Sequence, residues 1–395
     1  MTALAAALDA VGLGLAIAAG LCAWRSCRWL RARASAACAA IDRRAPGGSS
    51  ASLTSLLVPA RNEQANIEEC VRSLAAAEPS GIEVLVLDDA SEDATAEAAR
   101  RALARSGAPG RVITGRSLEP GWGGKSFACQ QLAEASAGEW LFFLDADVRI
   151  SPGGVEAALR QARGVGADFV SFLPRYTGDH WGNRWVVPWL YYFLTALIPL
   201  PEILRVRHPR LSVANGQAIL VRRDAYRGLG GHAAVRDRVI EDVSLAIAAK
   251  RAGFRVALLD GHEWIACQMY ASTGGLVEGF AKSFHSAAAL HPFHWLAMMI
   301  LLALVGLRPW ARALTASAGE AGVALATVAV VSATFGGLLL RFRQRGTALL
   351  VWPLALTSLV GIALVAGVQG LLGRPVRWRG RVLKSGDRPP AATAL

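Results

Sequence analysis

Between residues 3 and 24 the only charged side chain is Asp9. A run of that length and apolarity ties one end of the chain to a membrane, which constrains the fold more than any other feature. No basic stretch precedes it, and its basic residues follow in "RSCRWLRARA". It therefore reads as a signal anchor with the N-terminus outside, not as a cleaved signal peptide. Three more apolar stretches, 294–307, 319–340 and 348–372, close the chain. The first is short for a span. If all three crossed, the basic tail would end outside, against the positive-inside rule. The expectation is two or three segments, the first being interfacial or re-entrant.

Composition agrees with a membrane portion: 53% of residues are hydrophobic and mean hydropathy is +0.34. The net charge of +12 sits beside the apolar runs, in "RSCRWLRARA", "RFRQR" and "RPVRWRGRVLK". That placement suits membrane topology, and no aromatic-studded basic repeat or zinc spacing suggests nucleic acid as a partner. The six cysteines are scattered without a C-x-x-C pair, which implies a reducing, cytosolic setting and small buried hydrophobes.

Between the membrane segments the pattern changes. "LTSLLVPA", "IEVLVLDDA", "RVITG", "EWLFFLDAD" and "ADFVSFL" are short strand-like runs. Helix-periodic stretches separate them at 63–77, 93–106, 125–137 and 153–163. Strand–helix alternation predicts a mainly parallel sheet with ligands beyond the carboxyl ends of its strands. The polar tips "PARNE", "DDASED" and "DADV" fall at those ends.

Asp145 and Asp147 end one strand. In an extended run residues two apart share a side, so both carboxylates would face one ligand. Hard cations such as Mg²⁺ take one or two carboxylates plus substrate phosphates; alternatively one Asp caps a helix and the other is solvated. Asp88 and Asp89 end another strand and could accept from a base and ribose, or cap the next helix, a task Asp93 could equally perform. Asn62 and Glu63 open a helix, as a cap and a dipole-favouring acid or as ligand contacts. In "PGWGGKSFA" glycines precede Lys125 at a helix start, suited to an anion, without Walker A spacing. Glu241 and Asp242 in "VIEDVSLA" stand beside apolar residues at another helix start. They read as a general base or as acids complementing the dipole.

These pieces, in this order across residues 53–282, resemble the family-2 glycosyltransferases of GT-A fold. "ANGQAILVRRDAY…GGHAAVRDRVIEDVSLAIAAKRAG" and "MYASTGGLVEGFAKS" resemble the membrane-bound branch that glycosylates carotenoids, hopanoids and related lipids. The resemblance implies an α/β fold: a GT-A, Rossmann-like catalytic domain with a mainly parallel sheet, plus N- and C-terminal transmembrane helices. It implies that Pro59, Ala60, Asn62, Glu63, Asp88, Asp89, Lys125 and Asp145 bind the donor. Asp147 would hold a divalent metal, Mg²⁺ or Mn²⁺. Asp242 would be the base, supported by Glu241, and Asn215, Gly216, Gln217, Gln268, Met269 and Tyr270 would border the acceptor. One departure stands out: relatives carry Arg-Met-Tyr where this chain has Gln268, Met269 and Tyr270, so Arg236, Arg238 or Lys282 would have to supply the positive charge. The Q-x-x-R-W of processive synthases is absent, which favours single addition.

The expected organisation is an anchor helix and basic flank (1–30), a linker (31–52) and the GT-A domain (53–290). An interfacial aromatic segment is expected near 185–204, then a C-terminal membrane region (291–373) and a basic cytosolic tail (374–395). The expected protein is a multi-pass cell-membrane enzyme with its catalytic domain in the cytosol. It would move one hexose from a nucleotide-diphosphate sugar, UDP-sugar favoured, to a lipid-phase acceptor such as a carotenoid, hopanoid or glycerolipid. Its partners would be the nucleotide sugar, the lipid acceptor and the bilayer. A polyprenyl-phosphate glycosyltransferase and an inactive membrane-complex subunit are the alternatives.

Overall fold

The structure is a computed structural model describing residues 2–39, 53–77, 81–290, 292–316, 321–374, 376–378 and 381–383. By packing, the chain divides into two compact units. One comprises Arg28–Arg175 with Leu200–Gln268; the other comprises Met1–Cys27, Tyr176–Pro199 and Met269–Leu395. The expected block 53–290 is thus interrupted.

The first unit is built on strands β1 (Thr54–Ala60), β2 (Ile82–Asp88), β3 (Gly110–Thr114), β4 (Trp140–Leu144), β5 (Val148–Ile150) and β6 (Phe169–Leu173). After the two-residue β7 (Arg175–Tyr176) come β8 (Ala218–Arg222), β9 (Val256–Asp260) and β10 (Ile265–Cys267). Seven strands form one sheet in the order β3-β2-β1-β4-β8-β6-β9. The pairs β1–β2, β2–β3, β1–β4 and β6–β9 are parallel; β8 runs antiparallel to both its neighbours. Every residue of β4, β6 and β9 is buried. That explains their near-continuous apolar runs, interrupted only by Ser171 and the terminal Asp260, since a strand covered on both faces needs no alternation. Helices Ile67–Ala77, Thr95–Ser106, Gly124–Ala135 and Gly154–Val165 separate the early strands. Ala60 pairs in register with Asp88, so β1 and β2 deliver their polar tips side by side.

The second unit is helical. Among the described residues four helical runs are long and apolar enough to cross a membrane: Ala3–Ala34, Pro292–Thr315, Ala321–Arg341 and Ala348–Leu371. The stretch that looks short in sequence is lengthened at both ends. Helix Pro292–Leu302 continues through a π-helical turn, Ala303–Leu307, into Arg308–Thr315, so length does not set it apart from the other two. Asp9 is buried and paired, accepting from Arg308 Nε at 2.9 Å and Arg312 Nε at 3.1 Å. Pairing reduces the cost of a carboxylate in apolar surroundings.

Three expected segments take definite form. The linker does not begin at residue 31, because helix Thr2–Ala39 runs on through 31–39; residues 40–52 lie outside the described residues. The aromatic segment near 185–204 forms short helices, Trp181–Trp185, Trp189–Ala196 and Leu200–Arg205. Trp189, Tyr191 and Tyr192 are buried, Trp189 stacking on Phe335 at 4.5 Å and Tyr191 on Phe342 at 4.0 Å, while Trp181 is exposed. Part of the aromatic content there packs between helices. In the basic tail, Val376–Trp378 and Arg381–Leu383 pair as an antiparallel ribbon, and residues 384–395 lie outside the described residues.

Candidate active site

The loops after β1 and β2 are locked together. Asp89 N donates to Ala60 O at 2.8 Å, and Pro59 precedes Ala60 within β1. Both loops then turn through a left-handed residue, Asn62 at φ 53° and Ala90 at φ 52°, a conformation that non-glycine residues rarely adopt. Cross-bonds hold these turns: Glu92 N to Asn62 Oδ1 at 2.9 Å, Asn62 N to Ser91 Oγ at 3.0 Å, and Glu63 N to Thr95 Oγ1 at 2.8 Å. Arg61 Nη1 donates to the carbonyls of Asp89 and Ala90 at 2.8 and 2.9 Å. Sequence reasoning passes over this arginine, although its place inside "PARNE" is a signal.

Asn62 is therefore not the cap of the following helix, which starts at Ile67. Glu63 is buried, and its carboxylate accepts from Asn66 Nδ2 at 2.9 Å. Asp89 is buried too. Asp88 Oδ1 is buried with no hydrogen-bond partner among the described residues. Such an oxygen carries an uncompensated desolvation cost that a ligand N–H or O–H would relieve. Ala94 is the N-cap of the next helix, Thr95–Ser106, and makes no side-chain cap bond; Asp93, one residue before it, accepts from Thr95 N at 3.0 Å. Burial works against its charge, but hydrogen bonds from Thr95 and Gln64 prevail and hold its pKa below the ordinary aspartate value.

β4 ends at Leu144, and Asp145, Ala146 and Asp147 form a turn closed by Val148 N to Asp145 O at 3.0 Å. The two-residue alternation of an extended strand does not apply, and the two acids have different partners. Asp145 Oδ1 lies 2.6 Å from Lys125 Nζ. Lys125 is also 3.2 Å from Glu241 Oε1 and 3.4 Å from Gly216 O. It occupies the second position of helix Gly124–Ala135, while Glu241 and Asp242 open helix Glu241–Arg251. Burial pulls the lysine pKa down; Asp145 and Glu241 outweigh it and hold the ammonium well above its ordinary value. A Cβ added to Gly216 would stand 3.1 Å from Asp242 Oδ2 and 3.3 Å from Lys125 Nζ, so only glycine leaves those groups undisturbed. Four separated segments thus converge on one ammonium.

Asp147 keeps other company. Its carboxylate is hydrogen-bonded to the buried Cys267 thiol, and its carbonyl accepts from Gln268 N at 3.1 Å. Cys267 directly precedes Gln268, a neighbour the scattered-cysteine reading does not single out. Gln268 is exposed. Asp145 N donates to Gln217 O at 3.1 Å. Gln217 itself is buried, its Oε1 accepting from Asn215 Nδ2 at 3.0 Å, so it braces the segment. Asn215 is fixed by Ser171, whose Oγ accepts from its N at 2.7 Å and donates to its O at 3.0 Å. Gly123 N donates to Arg236 O at 2.6 Å, which sets residues 236–238 beside the glycine-rich turn. Met269 and Tyr270 belong to the helical unit, where Asn183 holds Tyr270: Nδ2 donates to its carbonyl at 2.7 Å, and Oδ1 accepts from its N–H at 3.2 Å.

No cluster of three or more His, Cys, Asp or Glu side chains forms a metal cage among the described residues. A cation that draws most of its ligands from a diphosphate and water needs only one or two carboxylates. The half-buried Asp147, next to Asp145 at a strand end, fits that requirement.

A mainly parallel sheet, crowned at its strand ends by acids and a helix-borne lysine, is the architecture of the GT-A glycosyltransferases. The mannosyltransferase of Pyrobaculum calidifontis, solved in complex with GDP-Man and Mn²⁺, shares this fold. Its TM-score is 0.55, covering 92% of this chain and 99% of that one at 18% identity. Residues 55–230 match Glycosyl transferase family 2. The chain carries a family-2 glycosyltransferase domain and is a glycosyltransferase. It is 28% identical over 275 residues to 4,4'-diaponeurosporenoate glycosyltransferase of Staphylococcus haemolyticus (strain JCSC1435), covering 67% of this chain and 69% of that protein. With the enzyme of the same name from Staphylococcus aureus (strain MRSA252) it shares 26% over 237 residues, 59% of this chain and 61% of the relative. The chain thus spans about three fifths of the latter's length.

Proposed function

We propose that the protein is a membrane-associated, inverting hexosyltransferase. It moves one sugar from a nucleotide-diphosphate donor, UDP-sugar favoured, to an acceptor in the lipid phase such as a carotenoid, hopanoid or glycerolipid. The observation that carries this reading is Lys125 held between Asp145 and Glu241, with Asp242 across Gly216, inside a family-2 domain. The names of the relatives, which act on a carotenoid acid, support the acceptor class.

The nucleoside lies against Glu63, Asp88 and Asp89, and the unpartnered Asp88 Oδ1 accepts from it. Asp147 would hold a divalent cation, which would supply charge neutralisation to the diphosphate; the Mn²⁺ of the Pyrobaculum enzyme supports that choice. Lys125 orients Asp145 and Glu241 and adds fixed positive charge beside the donor. Asp242 takes the proton of an acceptor hydroxyl as its oxygen attacks the anomeric carbon opposite the departing diphosphate, giving inversion. A carboxylic acid acceptor arrives already ionised and asks less of Asp242. Gln268 contributes no charge, so Arg236 and Arg238, next to Gly123 in the same unit, serve the leaving group. In this reading the enzyme is multi-pass in the cell membrane with its catalytic domain on the cytosolic side; the four candidate spans support the membrane association, and the basic residues that follow the first of them support the side.

The test compares lipid extracts from cells with and without the protein by mass spectrometry. A lipid heavier by one hexose, present only with the protein, is expected. Unchanged lipids, together with no binding of any nucleotide sugar to the purified protein, would overturn the reading.

A further inference from the structure

Two residues beyond Asp147, in β5, stands Arg149, a cation that the proposed chemistry does not use. Its side chain is only 19% exposed. Nη1 donates to Ala146 O at 3.0 Å and to Val148 O at 2.9 Å. Its ion pair is with Glu69 Oε2 at 3.3 Å, and among the described residues it makes none with Asp145 or Asp147. The guanidinium is thus committed to the backbone around Asp147 and not to the carboxylates.

Every carbonyl from Asp145 to Val148 has a partner. Asp145 O accepts from Val148 N at 3.0 Å, with Cys70 Sγ 3.9 Å away. Asp147 O accepts from Gln268 N at 3.1 Å. Ala146 is buried, and its O has Arg149 as its only partner among the described residues. A peptide unit is planar, so holding Ala146 O fixes the plane that leads into Asp147, and holding Asp147 O fixes the plane that leaves it. Arg149 and Gln268 N between them set the backbone angles of Asp147. The support behind Arg149 is rigid: helix Ile67–Ala77 supplies Glu69, and also Ser73, whose Oγ accepts from Ile150 N at 3.3 Å. On the other edge β10 pairs antiparallel with β5, Cys267 opposite Val148.

We infer that Arg149 is a positioning residue for the cation site: by holding the peptide plane that leads into Asp147, it sets where that carboxylate stands before a cation arrives. The inference rests on the assignment of the cation to Asp147 in the proposed function. A site that offers one or two carboxylates gains most from holding them still, because a productive constellation tolerates displacements of only about 0.5 Å. Charge-assisted bonds such as those of a guanidinium are the stronger kind. Residues that orient a ligand without touching the metal are typically worth about 10–100-fold in metal affinity.

The test uses the full chain in phosphatidylcholine nanodiscs. Mn²⁺ affinity is read by electron paramagnetic resonance in the presence of UDP or GDP, and nucleotide affinity by calorimetry with and without Mn²⁺. Arg149→Met, similar in length but without N–H groups, should weaken Mn²⁺ binding about 10–100-fold, with a smaller change in metal-free nucleotide affinity. Arg149→Lys, which keeps a donor and the charge, should recover part of the loss. In the metal-free protein, hydrogen exchange at amides 145–150 should quicken in Arg149→Met and return toward the wild-type rate in Arg149→Lys. Should Arg149→Met not fold, Arg149→Gln, with an N–H on a shorter stem, takes its place in the same comparison. Mn²⁺ binding that is unchanged, or weakened no more than metal-free nucleotide binding, would overturn the role of Arg149 while leaving the cation at Asp147. A wild type whose nucleotide binding ignores Mn²⁺ would instead remove the cation assignment, and this inference with it.

Discussion

The ammonium of Lys125 stands 2.6 Å from the carboxylate of Asp145 and 3.2 Å from that of Glu241, linking the tip of β4 to the helix that begins with Glu241 and Asp242. Without the lysine these acids face one another uncompensated. Lys125→Ala should lower kcat by on the order of 10²–10³-fold, the range for removing one preorganised electrostatic group, and Lys125→Arg should recover part of it. Steady-state kinetics on vesicles with a nucleotide-sugar donor measure both. The raised pKa also fixes a sign. The stabilisation from this charge is complete below the unfolded lysine value, about 10.4, and is lost only as pH rises through the still higher folded value. No lysine limb should therefore appear in the activity profile between about pH 6 and 9.

Asp147 tests the metal assignment. Asp147→Ala should lose metal-dependent binding of the nucleotide, measured by calorimetry with and without Mn²⁺, and should reduce turnover by on the order of 10²-fold or more. Asp145→Ala instead removes a partner of Lys125. It should weaken donor binding whether or not the metal is present. Equal behaviour of the two variants would argue against separate roles.

Asp242 separates two kinds of acceptor. With a hydroxyl acceptor, Asp242→Asn should retain donor affinity and lose roughly 10²–10⁴-fold in turnover, the usual worth of a general base. With a carboxylic acid acceptor the nucleophile is already ionised near neutral pH, and the loss should be far smaller. Running both acceptor types against the same variant gives the answer as a ratio, which a general folding defect would not change.

The alternation of strands and helices was legible because buried parallel strands carry near-continuous apolar runs, and the polar tips marked the functional rim. The pairing of Lys125 with Asp145 was half visible: both lie at ends of their elements, but 20 residues apart, and only the fold sets them together. The approach of Asp242 to Gly216 was not visible at all, since it depends on the antiparallel return of β8. The D-x-D geometry was misjudged because one hydrogen bond, Val148 N to Asp145 O, converts an extended pattern into a turn. The packing of Trp189 and Tyr191 was not legible because hydropathy does not distinguish burial by lipid from burial by neighbouring helices such as those bearing Phe335 and Phe342.

His232 supplies a pH dependence away from the proposed chemistry. It is buried, with Nδ1 2.8 Å from the Tyr226 hydroxyl, and its ring contacts Phe143 edge-on. Burial pushes its pKa down from 6.5 to about 4, and Lys125 adds to that against the opposing pull of Glu241. Between these values the unfolded chain binds a proton that the folded chain refuses. The associated stability is thus complete above the unfolded histidine value and is lost as pH falls toward 4. The shift corresponds to roughly 3 kcal/mol at one pKa unit per 1.4 kcal/mol. Wild-type melting temperature should fall across this window. His232→Gln, which keeps a hydrogen-bonding group but cannot titrate, should show a flatter acid limb in the same buffers. Parallel wild-type and variant curves between pH 6.5 and 4 would remove His232 as the source.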